Sequence, residues 1–145
     1  MNQRVQINKV LPEAYQLLVA FEKYMARTPL TAIRKEMIKI RASQINGCAF
    51  CLNMHTKDAR KAGETEQRIY TLSAWRDTPY FTEEERAILA LTEEVTLISN
   101  HHVSDETYQA VAAHFSEEQV AQIIIAIIAI NSWNRLAITT GMMPA

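Results

Sequence analysis

The run Ile123-Ile124-Ile125-Ala126-Ile127-Ile128-Ala129-Ile130 constrains the fold of this chain more than any other feature. It leaves no polar face at either the helical or the strand period. It follows Ser116-Glu117-Glu118-Gln119, where the serine hydroxyl suits the N3 amide and the glutamine side chain suits the serine amide. That signal sets the run inside a helix, and a soluble helix apolar all round must be buried on all sides. The run is far short of the roughly 20 residues that span a bilayer. Its cover is therefore expected from other helices of the chain and from a subunit interface, with no membrane as partner.

The rest of the sequence supplies such helices. Only 3 glycines and 4 prolines occur in 145 residues, too few for the turns of a strand-rich fold. Ala14, Leu17, Leu18, Phe21 and Met25 predict a first helix over about residues 11–27. Thr28-Pro29 predicts the cap and first-turn proline of a second, running to about Gln44. Asn46-Gly47 interrupts it, and a third helix follows from about Cys48 to Ala62, with Gly63 just past its end. A fourth covers Glu66 to Arg76. Thr82-Glu83-Glu84-Glu85 opens a fifth with Ile88, Leu91, Val95 and Ile98 on one face. Ser104 caps a sixth that reaches His114. With the Ser116 helix, the expectation is an all-α, single-domain bundle of six to seven helices over residues 1–145.

Charge narrows the partners. Lys+Arg number 15 against Asp+Glu 16, so no bulk charge draws the chain to nucleic acid or to anionic lipid. Met1-Asn2-Gln3-Arg4-Val5-Gln6 lacks the apolar core of a signal peptide, which points to the cytoplasm.

The only cysteines are Cys48 and Cys51. A bridge across so short a loop removes little entropy from the unfolded chain, and a reducing compartment would not sustain a merely structural one. A redox-active dithiol explains the pair better. Both fall in the first turn of the third helix, where unpaired amides and the helix dipole favour a thiolate. His55 lies one turn beyond Cys51 on the same face, placed to take the thiol proton. That spacing makes Cys51 the nucleophile and Cys48 the resolving thiol, the reverse of the thioredoxin-like order.

Glu36 sits at the border of the Ile33, Met37 and Ile40 stripe on the second helix. The Asn46-Gly47 turn folds the third helix back beside it and brings Glu36 towards His55. A carboxylate at a buried edge needs a partner. A Glu36–His55–Cys51 relay supplies one; a salt bridge to Arg34, Lys39 or Arg41 is the structural alternative. Cys48, Cys51, His55 and Glu36 are also zinc-ligand types, but a structural zinc site usually wants a second Cys/His pair. No metal and no cofactor are expected. His101 and His102 fall in a loop and are expected to be solvated, and Trp75 and Trp133 to be core or interface residues, with Trp133 also a candidate pocket wall.

Together, Glu36 and the stretch Arg41-Ala42-Ser43-Gln44-Ile45-Asn46-Gly47-Cys48-Ala49-Phe50-Cys51-Leu52-Asn53-Met54-His55 resemble the alkylhydroperoxidase D-like branch of the carboxymuconolactone decarboxylase family. Ile130-Asn131-Ser132-Trp133-Asn134-Arg135-Leu136 is similar to the closing segment of these domains. The resemblance implies a helical fold assembled as trimers or hexamers. It implies a thiol-dependent peroxidase that reduces a hydroperoxide with a cysteine pair and a Glu–His proton relay. It also implies a thiol reductant, a lipoyl-bearing or thioredoxin-like protein, that restores the pair. Alkylhydroperoxidase D itself has a second histidine between its cysteines, where this chain has Phe50. The alternatives are a dithiol disulfide reductase or redox sensor acting on a protein, a cysteine-independent lyase of the same superfamily, and a helical oligomer without catalysis.

Overall fold

The computed structural model describes residues 4–145; Met1, Asn2 and Gln3 of the N-terminal hexapeptide lie outside the described residues. Among the described residues there are eight α-helices and no strand. They are α1 (Ile7–Val10), α2 (Pro12–Ala26), α3 (Ala32–Asn46), α4 (Ala49–Lys61), α5 (Glu66–Thr71), α6 (Glu83–Thr96), α7 (Asp105–His114) and α8 (Glu117–Thr140). A 3₁₀ segment, Leu72–Asp77, joins α5 to α6. The all-α expectation holds, and the added element is the single turn α1.

The Ile123–Ile130 run forms the middle of α8. By length and composition α8 is long enough to cross a membrane; here it is a core helix, against which α2, α3, α6 and α7 pack. Ile123, Ile127 and Ile130 are at most 1% exposed and meet Ile38, Ala42, Ile88, Leu91 and Val111. Truncating one such isoleucine to alanine costs about 2–5 kcal/mol. The burial is not complete on every side, because Ile128 stays 41% exposed. α3 is buried on two flanks: Ile38 and Ala42 join the α8 core, while Met37 and Ile40 pack with Leu72, Trp75, Phe81 and Leu89.

Five local expectations shift; the simplest is that α6 ends at Thr96, so Ile98, expected on its apolar face, lies beyond it and is 52% exposed. Thr31, not Thr28, caps α3, accepting from the Arg34 amide at 3.3 Å. Thr28 spends its hydroxyl on the Met25 carbonyl near the end of α2, and Leu30 drops into the core, so the helix starts three residues later. α2 is rotated from the expected face: Leu18, Phe21 and Met25 are covered as expected, but Leu17 is 71% exposed and Ala14 is also exposed, while Tyr15 and Val19 turn towards the body instead. Cys48 is the cap of α4 rather than a member of its first turn. The fourth predicted helix gives way at Leu72 to a 3₁₀ segment that kinks at Ala74 (φ −118°, ψ 31°), with Leu72 and Trp75 both buried. The capping boxes at Thr82 and Ser116 form as expected.

Candidate redox site

The end of α3 and the start of α4 build the site. Gly47 closes α3 at φ 70°, a left-handed conformation that glycine adopts without a Cβ penalty. The Cys48 amide bonds back to the Ser43 carbonyl at 3.0 Å, and the chain reverses into α4. Cys48 then occupies the cap position, its Sγ accepting from the Cys51 amide at 3.3 Å. Serine, threonine, aspartate or asparagine oxygens usually fill that role.

A buried polar ladder fixes this turn against α8. Asn46 Nδ2 donates to Oδ1 of both Asn131 and Asn134 at 2.9 Å. Asn134, fully buried, donates to Ser43 Oγ at 2.9 Å, and Asn131 donates to Thr96 Oγ1 at 3.0 Å. Such amides are tolerated in a core because they are paired, and their pairing sets where Cys48 begins α4. Sequence reasoning treated Asn46 only as a turn residue and did not find this ladder; the signal was the recurrence of asparagine at 131 and 134 inside an apolar helix.

Cys48 and Cys51 are joined in a disulfide and are buried at 1% and 2% exposure. Their difference lies in what they face. Cys51 lines a cavity of about 320 Å³, whereas Cys48 is not part of its lining. Phe50, Met54, Trp133, Ala137 and Met142 give that cavity an apolar body, and Tyr15 meets the Trp133 ring edge-on at 5.4 Å between centroids. Glu22, Lys39, His55 and Asp58 form its charged end.

The expected histidine and glutamate do meet. His55 Nδ1 lies 2.9 Å from Glu36 Oε2, with both side chains largely buried. The structural alternative holds at the same time, because Glu36 Oε1 accepts from Lys39 Nζ at 3.4 Å. Lys39 also donates to Glu22 of α2 at 3.1 Å. Burial alone would lower the Lys39 pKa, but the two carboxylates outweigh it and raise it above the ordinary lysine value. Lys35 goes the other way, lowered by burial and then by the Lys39 charge. Arg34 and Arg41 do not serve Glu36; they pair with Glu84 and Glu93 instead.

The zinc-type set of the sequence is rearranged. Both sulfurs are spent in the disulfide, and the donors that converge are Glu36, His55 and Asp58, each offering an atom within 4.8 Å of the others. The Lys39 ammonium already supplies a positive charge beside Glu36. Asp58, Glu22, Tyr15 and Met142 are site residues that sequence reasoning missed, and Lys39 was foreseen only as a salt-bridge partner of Glu36. Elsewhere Trp75 is core, its indole donating to Glu93 at 2.8 Å, and His101 and His102 are exposed.

Comparison with known proteins gives the family and the fold. The Carboxymuconolactone decarboxylase family profile matches residues 12–94. The uncharacterised protein YdfG of Bacillus subtilis is 48% identical over 141 residues, spanning 97% of this chain and 96% of YdfG. The crystal structure of ATU0492 from Agrobacterium tumefaciens superposes with a TM-score of 0.95 at 40% identity over 99% of both chains. ATU0492 is described as a protein of unknown function and a candidate antioxidant defence protein AhpD. A peroxidase-related protein from Silicibacter shares the fold, with a TM-score of 0.81 at 23% identity over 92% of this chain and 71% of that one. With the cysteine pair, the buried His55–Glu36 contact and the helical frame in place, the chain belongs to the carboxymuconolactone decarboxylase family, in its alkylhydroperoxidase D-like branch.

Proposed function

We propose that the protein is a thiol-dependent peroxidase acting on organic hydroperoxides. The observation that carries this is the placement of Cys51 and His55 on the wall of one cavity, with His55 held by Glu36 and Cys48 bonded to Cys51. In the reduced protein, Glu36 accepts from Nδ1–H of His55, which leaves Nε2 as the base for the Cys51 thiol. The Cys51 thiolate attacks the terminal peroxide oxygen. The O–O bond breaks, the alkoxide takes the proton from His55 and leaves as the alcohol, and Cys51 becomes a sulfenic acid. Cys48 loses its proton to the departing hydroxide, its sulfur bonds to Cys51, and water leaves. The two electrons that reduce the peroxide come from the thiol pair.

The cavity also supports the choice of substrate and reductant. Its apolar walls suit a hydrophobic organic group, and its volume is that of a small-molecule site rather than of a protein-docking surface. A reductant must reach the disulfide through the same opening, which suits the slender dithiol of a lipoyl-bearing protein. Exchange of that dithiol with the disulfide closes the cycle. Exposed apolar side chains on α2 and α8, among them Leu17, Ile128 and Ile138, support assembly into a homo-oligomer.

Substitution tests the assignment. Cys51→Ser is expected to abolish hydroperoxide reduction, and Cys48→Ser to leave a sulfenic acid on Cys51 that dimedone traps. Sustained turnover by the Cys51→Ser protein would overturn it.

A further inference from the structure

Lys39 is the group that the peroxidase scheme leaves unused, and it is placed where two helices and the charged end of the cavity meet. Its side chain is 13% exposed, and its ammonium lies between Glu36 of α3 and Glu22 of α2. A lysine this deep is retained only with its charge paired, and here both partners belong to the site.

We propose that Lys39 is a positioning residue: it keeps the Glu36 carboxylate aimed at His55 and, through Glu22, holds α2 over the cavity as its cover. The inference rests on the thiol chemistry proposed above and adds a residue outside the Cys–His–Glu relay. The Glu36 carboxylate is held at both ends, Oε2 by His55 and Oε1 by Lys39, so its plane is fixed. The cover also packs against α1 and α8, but little of it is fully enclosed. Met25 is the only fully buried residue of α2, and Tyr15 and Glu22, two turns apart on one face, both line the cavity. Tyr15 rests on Trp133, and Glu22 is tied to Lys39. The charged groups around the ammonium are Glu22 on α2, Lys35 and Glu36 on α3, and His55 and Asp58 on α4; α8 lines the cavity with Trp133 and Ala137, which carry no charge. Without Lys39, carboxylates of three helices would face one another, and the remaining cation near Glu22 and Glu36 would be Lys35, whose ammonium is spent on the Thr28 carbonyl.

The test uses the full-length reduced protein and reads Cys51 directly by alkylation with iodoacetamide and with a bulky N-substituted maleimide, across pH. Lys39→Met is expected to slow iodoacetamide alkylation by about tenfold to 100-fold, the scale of a misplaced catalytic group, and Lys39→Arg to recover most of that loss. Removing a cation makes protons in the cluster harder to lose, so the Lys39→Met rate profile moves to higher pH. Glu22→Gln removes an anion, and its profile moves to lower pH. Both Lys39→Met and Glu22→Gln raise the maleimide-to-iodoacetamide ratio, because both release α2. Wild-type rates, profile and ratio in a folded Lys39→Met protein would overturn the proposal. So would profiles that move in the same direction in both variants. Should Lys39→Met fail to fold, an unchanged profile and ratio in Glu22→Gln would overturn it equally. Alkylation needs no peroxide, so a wild-type protein inert to hydroperoxides but showing this pattern refutes the peroxidase assignment and leaves the Lys39 role standing.

Discussion

Glu36 Oε2 on α3 lies 2.9 Å from His55 Nδ1 on α4, a contact that joins two helices across the glycine turn between them. It fixes which ring nitrogen carries the proton in neutral imidazole and, in the proposed scheme, leaves Nε2 as the base. His55→Gln is expected to slow oxidation of the reduced thiols by about 100-fold or more. Glu36→Gln should slow it less, since its amide oxygen can still accept from Nδ1–H. Stopped-flow measurement of thiol loss at pH 7 checks both, and equal losses in the two variants would contradict the ordering.

The turn that sets up Cys48 depends on Gly47. A Cβ built there meets nothing within 4 Å, so the whole cost of substitution is the left-handed backbone at φ 70°. Gly47→Ala is expected to lower stability by about 1–2 kcal/mol, measured by urea unfolding. A loss well above that would mean the turn is tighter than its surroundings indicate.

Acid should act on the body of the bundle through Glu93. Burial would raise its pKa, but hydrogen bonds from Arg76, Trp75 and Arg41 outweigh that and hold it below the usual carboxylate value. A carboxyl with a depressed native pKa stabilises the fold above its unfolded pKa of about 4.5, and that contribution is lost as pH falls towards the native value. Stability should therefore decline below about pH 4.5, and Glu93→Gln should flatten the decline while lowering stability near pH 7 by about 1–3 kcal/mol. Urea midpoints across pH 3–7 measure both effects (a range set by ordinary carboxylate titration). An acid limb unchanged in Glu93→Gln would assign it to other groups, of which Glu85, also depressed by Arg68 and the Thr82 amide against its burial, is next.

Most helices were legible because their signals are local. The Thr82 and Ser116 boxes name their own partners, and the Ile123–Ile130 run identifies a core helix by composition. The Cys48, Cys51 and His55 spacing lies on one helix, and Glu36 was reachable because a single short turn separates it from them. What stayed hidden was decided by packing between distant segments. Leu17 looked like a core residue of α2, yet the helix rotates so that Tyr15 meets Trp133, 118 positions away along the chain. Glu22 and Lys39 carry no pattern that pairs them, and Asn134 joins Asn46 and Ser43 across α8 and α3 with no spacing rule to announce it. Thr28-Pro29 had the residue types of a helix start, but competition for the Thr28 hydroxyl moved the cap to Thr31.

The most direct test of the account mixes anaerobically reduced protein with cumene hydroperoxide in a stopped-flow instrument and counts free thiols and cumyl alcohol. The account predicts one alcohol formed for each pair of thiols lost, with Cys48 and Cys51 recovered as a disulfide and Cys51→Ser inert. A thiol count that stays constant in excess hydroperoxide, or alcohol formed equally by Cys51→Ser, would contradict it.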